Sequence, residues 1–310
     1  MPLTNFGFGV SSFGIPLVGS GPILTTGNVF FVGSTATGKA DTTANGKDPA
    51  TPFATVDYAI GQCTANNGDT ILVMPGHTET ITAAAGVALD VAGVTIIGLG
   101  VRRNRPVFNF TTAVGASFKV TAANCRVANV RFTGGLDALT NPIHVAAADF
   151  EMSNFTWLDV TGQATDVVLT TAAADRLHLH DFEYDGATAA GTNAGIALVG
   201  GDGIRIHDFI MDGNFAVGGI DVRTTAATDL KVWNCWSFRT RNAADIFIVD
   251  TITASTGQIG PNLYLQLQDN AANITESITG ATFVQHLPIS VVNLAGEIGM
   301  AINTTASTDA

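Results

Sequence analysis

A repeat of about 26 residues runs through the middle of the chain and restricts its fold more than any other feature. Five short segments share the pattern apolar, any residue, Asn or Asp, apolar, any residue, apolar. Their anchor residues follow one another at intervals of 25, 27, 27 and 26 residues and are Asn129, Asn154, Asp181, Asp208 and Asn234. Such regular spacing is typical of stacked supersecondary units that share one continuous core.

Each repeat unit has the pattern of short β-strands. The apolar runs are brief, rich in β-branched residues and separated by Gly, Asn, Asp or Thr, which excludes helical repeats. Strand alternation predicts that Leu177 and Leu179 point into the core while His178 and His180 point outward. The anchor then lies at a turn between two strands, where its short side chain can bond backbone groups. We therefore expect an all-β solenoid.

The anchors are predicted to form a turn ladder, in which Asn side chains on successive rungs bond each other along the axis. Asp181 and Asp208 interrupt the Asn series. Carboxylates stacked at the strand spacing of roughly 4.8 Å do not both ionise without a cation, a donor or water between them. These two residues therefore either face solvent, or their site takes up a proton or a cation.

The chain divides into three predicted regions: an apolar, Gly-rich arm at 1–28, a solenoid at 29–260 and a strand-rich segment at 261–310 that caps the last rung or contacts another subunit. A helix is expected near Thr55, with Val56, Ala59 and Ile60 on one face. The arm is either a strap over the open end of its own domain or an arm docked on a neighbouring subunit. Its candidate attachment residues are Phe6, Phe8, Phe13, Ile15, Leu17, Ile23 and Leu24.

Charge limits the partners of this chain. With 14 basic and 26 acidic residues its formal net charge is −12, which repels phosphate backbones and anionic lipids. We expect no direct nucleic-acid binding and no membrane contact. The first charged residue is Lys39, so no basic signal-peptide region precedes the solenoid, and we expect no cleaved leader.

Two runs near the start of the predicted solenoid match the sequence pattern of a known family. The runs 51–60 (TPFATVDYAI) and 68–79 (GDTILVMPGHTE) resemble the entry segment of pectate-lyase-like β-helix proteins. That resemblance implies a right-handed, single-stranded parallel β-helix with an N-terminal capping helix. The segments 13–17 (FGIPL) and 26–32 (TGNVFFV) further resemble β-helix structural proteins of tailed bacteriophages, which implies a virion component.

Several motifs with possible chemistry have simpler explanations. The run from Gly33 to Lys39 has the spacing of a phosphate-binding loop, but Ala40 replaces the hydroxyl residue that holds magnesium. His178 and His180, with His207 one rung away, form a conceivable metal site, although outward histidines need no ligand. We expect no catalytic residue, no cofactor and no metal. The recurring aromatic residues are interpreted as a stacked core and are Phe132, Trp157, Tyr184, Trp236 and Phe238.

Carboxylates are the remaining candidates for catalysis, because a polysaccharide-cleaving β-helix needs close acids or an assisted base. The candidates are Asp181, Glu183, Asp185, Asp208 and Asp212, with Arg205 near them. Gly follows both Asp185 and Asp212, so a turn also explains these two.

The sequence thus favours a non-enzymatic virion protein, made in the host cytoplasm and located on the virion surface. We expect a capsid decoration protein that forms a homotrimer and binds the major capsid protein or another virion protein through its arm. The alternatives are a tailspike-like polysaccharide depolymerase and a carbohydrate-binding β-helix.

Overall fold

The protein is a coil of parallel β-strands, as seen in a computed structural model. The structure describes residues 10–12, 15–17, 25, 27–159, 165–186, 192–240, 246–252, 254–266, 278–279, 282–285, 288–292 and 298–300. The all-β solenoid predicted from the repeat is therefore confirmed.

Most strands are short, because each rung of the coil turns after a few residues. In chain order they are β1 (Val10–Ser12), β2 (Ile15–Leu17), β3 (Val29–Val32), β4 (Thr70–Val73), β5 (Thr78–Thr80), β6 (Val87–Leu89), β7 (Thr95–Gly98), β8 (Val107–Phe110), β9 (Phe118–Val120), β10 (Arg126–Ala128), β11 (Arg131–Gly134), β12 (Ile143–Val145), β13 (Glu151–Ser153), β14 (Thr156–Asp159), β15 (Asp166–Thr170), β16 (His178–Asp185), β17 (Thr192–Leu198), β18 (Gly201–Asp202), β19 (Arg205–Gly213), β20 (Phe215–Val222), β21 (Ala227–Thr228), β22 (Leu230–Thr240), β23 (Ile248–Asp250), β24 (Thr256–Ile259), β25 (Leu263–Gln266), β26 (Ile278–Thr279), β27 (Thr282–Gln285), β28 (Ile289–Val292) and β29 (Ile298–Met300).

Most of the strands stack into three faces, whereas β18 and β21 pair in a small sheet of their own. Face 1 contains β3, β4, β7, β10, β13, the first halves of β16, β19 and β22, then β24 and β27. Face 2 contains β5, β8, β11, β14, the second halves of β16, β19 and β22, then β25 and β28. Face 3 contains β6, β9, β12, β15, β17, β20, β23 and β26.

One apolar core fills the coil along its length. The predicted alternation is confirmed, since Leu177, Leu179, Ile204 and Ile206 are buried and His178 between them is half-exposed. Aromatic rings stack inside the coil from rung to rung. The ring centroids of Phe155 and Phe182, and of Phe182 and Phe209, are 4.8 Å apart. This distance matches the spacing of neighbouring strands, roughly 4.8 Å.

The helix expected near Thr55 is present as α1 (Val56–Ile60), and it packs against β3, β4 and β6. The Thr55 side chain accepts a hydrogen bond from the Tyr58 amide, which satisfies a free donor of the first turn. Val56, Ala59 and Ile60 are buried, as the pattern predicts.

The entry motif also ties the helix to the second rung. The Nδ1 atom of buried His77 accepts from the Ser34 amide at 2.9 Å, and its Nε2 lies 3.0 Å from Glu79. The Glu79 carboxylate accepts from the first helical amide, that of Val56. The run 68–79 therefore has a structural role in this chain.

The last described strands continue the stack beyond residue 260. Strands β25 and β28 extend face 2 in parallel, whereas β29 pairs antiparallel with β28. A single short 3₁₀ helix, Arg102–Asn104, is the other helical element of the described residues. No helix in the described part of the chain is long and apolar enough to cross a membrane.

Candidate functional site

The turn between face 1 and face 2 carries a ladder of Asn and Asp side chains. All five predicted ladder residues lie here with a positive φ of 49° to 60°, a conformation that Asn and Asp tolerate better than most residues. Asn154 donates to Asn129 across 2.9 Å, and Asn234 donates to Asp208 across 3.1 Å. The sequence reading missed a sixth member, Asn262, which follows Pro261 at φ 61° and donates to Asn234.

The two Asp residues in the ladder each have a basic neighbour on face 1. Asp181 accepts a hydrogen bond from the Nδ1 atom of His180 at 2.8 Å, and Asp208 accepts from Nδ1 of His207 at 2.7 Å. The side chain of Asp181 is 61% exposed, whereas that of Asp208 is half-buried. The sequence predicted that the pair either faces solvent or takes up a proton or a cation. Asp181 faces solvent, and both carboxylates accept hydrogen bonds from imidazole nitrogens.

Three histidines on face 1 form a cluster beside these Asp residues. One ligand nitrogen from each of His178, His180 and His207 lies within 4.8 Å of the others. The Nε2 atoms of His178 and His207 are 2.7 Å apart. The rings of His180 and His207 stack at 5.1 Å, and the Trp233 ring continues the stack from His207 at 4.1 Å. The structure therefore brings together the three histidines that the sequence marked as a conceivable metal site.

Burial and like charge keep one of these histidines neutral. Burial lowers the pKa of His178 to about 4, and the neighbouring His180 and His207 contribute to the shift. Glu151 acts in the opposite direction, but its carboxylate is paired with Arg126 at 2.8 Å. His178 therefore presents a neutral imidazole at neutral pH.

A groove of about 470 Å³ runs beside the ladder along face 2. Its floor includes Asn129, Asn154, Asp181 and Asp208, and a second depression of about 360 Å³ adjoins it near Arg105. The lining mixes basic, acidic and apolar side chains. The second depression contains Arg102, Arg103, Arg105 and Arg131 together with Glu183 and Asp185, whereas Ile210 and Trp236 line the first groove.

Arg105, which lines both the groove and the second depression, has a structural role. Arg105 donates from Nη1 to the Asn154 backbone at 3.0 Å and from Nη2 to the Thr156 hydroxyl at 3.0 Å. Burial, together with the nearby positive charge of Arg131, lowers the pKa of Arg105. The sequence reading missed this side chain, because its partners are 49 and 51 residues away and no local motif marks them.

The interpretation of Trp236 as a core residue is wrong. Phe132, Trp157, Tyr184 and Phe238 are buried, but Trp236 is 57% exposed and lines the groove. The register between β19 and β22 shifts at this point, so that Ile210 pairs with Ser237 while Phe209 pairs with Cys235. Trp236 is the extra residue of this β-bulge, and a bulge redirects a side chain in this way.

The carboxylates considered for catalysis occupy several environments. Asp212 forms an ion pair with Arg239, whereas Glu183 and Asp185 line the arginine-rich depression itself. Arg205 lies on face 1 between His178 and Lys231, because the three residues are in register. The structure therefore places Arg205 on a different face from Glu183 and Asp185.

A second acidic cluster, which the sequence reading did not identify, lies on face 3. Arg223 bonds Asp166 at 2.5 Å and Asp221 at 3.3 Å, and both carboxylates are buried. Burial raises the pKa of Asp221, and the nearby Asp166 adds to the effect while Arg223 opposes it. With 4% and 3% exposure, these carboxylates are closed to a polymer substrate.

The predicted arm is partly described. Strands β1 and β2 pair antiparallel with each other in a separate two-stranded sheet, with Val10 opposite Leu17. Ile15 and Leu17 belong to this hairpin. The other five candidate attachment residues, Phe6, Phe8, Phe13, Ile23 and Leu24, lie outside the described residues.

Comparison with known proteins supports the fold. No protein-family model matches the chain, and no curated protein matches it. A solved structure named rhamnogalacturonan lyase is similar, with a TM-score of 0.52 at 13% sequence identity, over 83% of this chain and 73% of that chain. The chain shares its parallel β-helix fold with this structure. At this identity the similarity concerns the fold and does not extend to the activity.

Proposed function

We propose that this chain is a non-enzymatic structural protein of a bacteriophage virion, namely a capsid decoration protein attached through its N-terminal arm. The observation that carries the proposal is the hairpin of β1 and β2. Its strands pair only with each other among the described strands, so its hydrogen bonds do not extend the coil. An apolar segment of this kind suits docking onto another protein, here the major capsid protein or another virion protein.

The coil itself has the properties of a rigid spacer. Successive rungs are joined by parallel backbone pairing on three faces, by the side-chain ladder and by stacked aromatic rings. Each rung buries its apolar residues against the next one, as in other solenoids. Such a body would be stable on the virion surface without any catalytic site.

Assembly as a homotrimer is part of the proposal, and an apolar row on face 2 supports it. Ile210, Trp236 and Tyr264 lie on three successive rungs and are 41%, 57% and 45% exposed. Exposed apolar side chains grouped in this way favour a contact surface. We assign this row to the contact between copies of the chain.

The test is co-sedimentation with undecorated phage heads. The full-length protein and a variant lacking residues 1–28 are each mixed with heads, and bound protein is measured against concentration. We expect saturable binding by the full-length protein and loss of binding by the deletion variant. Equal binding of the two proteins would show that the arm is not the attachment. Circular dichroism of both preparations shows that the coil is intact.

A second candidate function is the binding or cleavage of an acidic polysaccharide in the groove on face 2. The arginine-rich lining favours it, because guanidinium groups bind carboxylates in bidentate geometry. The similar solved structure is named as a lyase of a polysaccharide. Sugar-release assays on the same preparations separate the two functions, since cleavage without head binding would contradict the virion proposal.

A further inference from the structure

The histidine cluster on face 1 holds three imidazole rings in mutual contact, which is unusual for a solvent-exposed sheet surface. His180 and His207 are in register on neighbouring strands, and His178 lies two residues before His180. The three rings contact one another with centroids 4.3 to 5.1 Å apart. Three imidazoles therefore share one small volume at the surface, where side-chain exposures of 17% and 15% leave His180 and His207 open to small solutes.

Two carboxylates fix which nitrogen atoms of the cluster are available. Asp181 and Asp208 accept the Nδ1 hydrogens of His180 and His207, so the nitrogen of each ring that remains for a ligand is Nε2. A carboxylate that holds one ring nitrogen while the other faces a metal is a recurring arrangement around protein metal ions. Here the ladder Asp residues supply that arrangement twice.

His180 has a carboxylate oxygen near each of its ring nitrogens. Its Nδ1 faces Asp181 at 2.8 Å and its Nε2 faces Glu151 at 3.4 Å, so both ring nitrogens point at carboxylate oxygens. A neutral imidazole donates on only one side, which leaves its lone pair opposed to a carboxylate oxygen on the other. A positive ion beside Nε2 would bind the lone pair and would share the Glu151 oxygen with Arg126.

We propose that His178, His180 and His207 form a binding site for a divalent transition-metal ion of the Zn²⁺ class. Neutral imidazole is a preferred ligand of Zn²⁺, Ni²⁺ and Cu²⁺, whereas Ca²⁺ and Mg²⁺ require oxygen ligands. Bonds of about 2.0–2.1 Å place the ligands of a tetrahedral ion roughly 3.3 Å apart. Small side-chain rotations bring the three nitrogens to that spacing, and water or Glu151 completes the coordination.

The metal site does not depend on the virion role, and a bound ion would affect only the strands around it. An ion held by residues of two successive rungs would tie β16 to β19 and add stability to this part of the coil. The stacked Trp233 ring covers one side of His207 and would limit the approach of solvent to the ion.

The test is metal titration of the full-length protein, prepared without an oligohistidine tag and stripped with a chelator. Zn²⁺ binding is measured by calorimetry, and Co²⁺ binding by its visible absorption. We expect one ion per chain. His178→Ala and His207→Ala should each weaken binding at least about tenfold, and Asp208→Asn about tenfold through its effect on the His207 ring.

The matched control is His144→Ala, which removes a half-buried histidine on face 3 and should leave binding unchanged. Circular dichroism shows that each variant is folded. The proposal fails if the folded wild-type protein shows no saturable Zn²⁺ binding, or if His178→Ala and His207→Ala bind as the wild type does. A crystal soaked in Zn²⁺ should show anomalous density between the three imidazole rings, and density elsewhere would also overturn the assignment.

Discussion

At the scale of single residues, the ladder shows how backbone conformation and side-chain bonding act together. Asn129 has a φ of 60°, and its amide donates to the carbonyl oxygens of Gly98 at 2.6 Å and Gly100 at 3.0 Å. It also accepts from Asn154 on the next rung. One side chain therefore stabilises its own left-handed turn and joins it to rungs on both sides.

We expect Asn129→Ala to lower the free energy of unfolding by about 2–4 kcal/mol, because Ala loses these hydrogen bonds and disfavours the left-handed conformation. Asn129→Gly loses the same bonds but accepts the conformation, so it should be less destabilised than the Ala variant by about 1–2 kcal/mol. Chemical denaturation measures both. Equal losses in the two variants would show that backbone conformation contributes nothing here.

Asp250 provides a prediction about pH. It is a buried residue, and burial raises the pKa of its carboxyl, although hydrogen bonds from Ser255 and the Ile252 amide oppose the shift. A raised pKa in the folded state means that stability is fully present below the unfolded-state pKa and is lost as pH rises through the folded-state value.

Asp250→Asn removes this ionisation while keeping the side-chain shape. The melting temperature of the variant relative to the wild type should therefore increase between about pH 3 and about pH 7. Asp90→Asn, at an exposed position, is the matched control for the loss of one negative charge. A constant difference between Asp250→Asn and the wild type across this range would contradict the argument.

At the scale of strands and turns, the sequence predicted the features that recur on each rung but not the features that interrupt the repeat. The anchors, the inward Leu and Ile residues and the capping helix follow from local patterns, and the structure places them as expected. Trp236 was misplaced, because a single extra residue in β22 changes the strand register. Arg105 was missed, because its partners are 49 and 51 residues away and become neighbours only after stacking. The pairing of Arg223 with Asp166 was missed for the same reason, since 57 residues separate the two.

Strand β7 shows how closely successive rungs approach each other. A Cβ atom added to Gly98 would lie 2.1 Å from the Asn129 carbonyl oxygen, which is backbone and cannot move aside alone. We expect Gly98→Ala to lower the free energy of unfolding by about 1–3 kcal/mol. Gly115→Ala is the matched control, since its Cβ would meet nothing within 4 Å. Thermal unfolding of both variants tests this, and equal stabilities would refute the steric explanation.

At the scale of the whole molecule, the fold is easier to predict from the sequence than the function. Every rung packs its inward apolar residues against the next rung in the same way. The weak sequence patterns of the single rungs therefore add up to a definite prediction of the fold. Candidate sites depend on a few surface residues, and their arrangement is visible only when rungs are in register. The histidine cluster, with members from β16 and β19, and the apolar row on face 2 both arise in this way.

Trimer assembly is the property of the whole molecule that the apolar row predicts. If Ile210, Trp236 and Tyr264 form the contact between copies, Trp236→Asp places a charge in an apolar interface and should shift the protein from trimer toward monomer. Val114→Asp is the matched control, because Val114 is 54% exposed but lies outside the row. Light scattering over a concentration series measures the mass of each variant. A trimer that survives Trp236→Asp would move the contact to another surface, and a wild-type protein that stays monomeric in solution and on the particle would contradict the trimer itself.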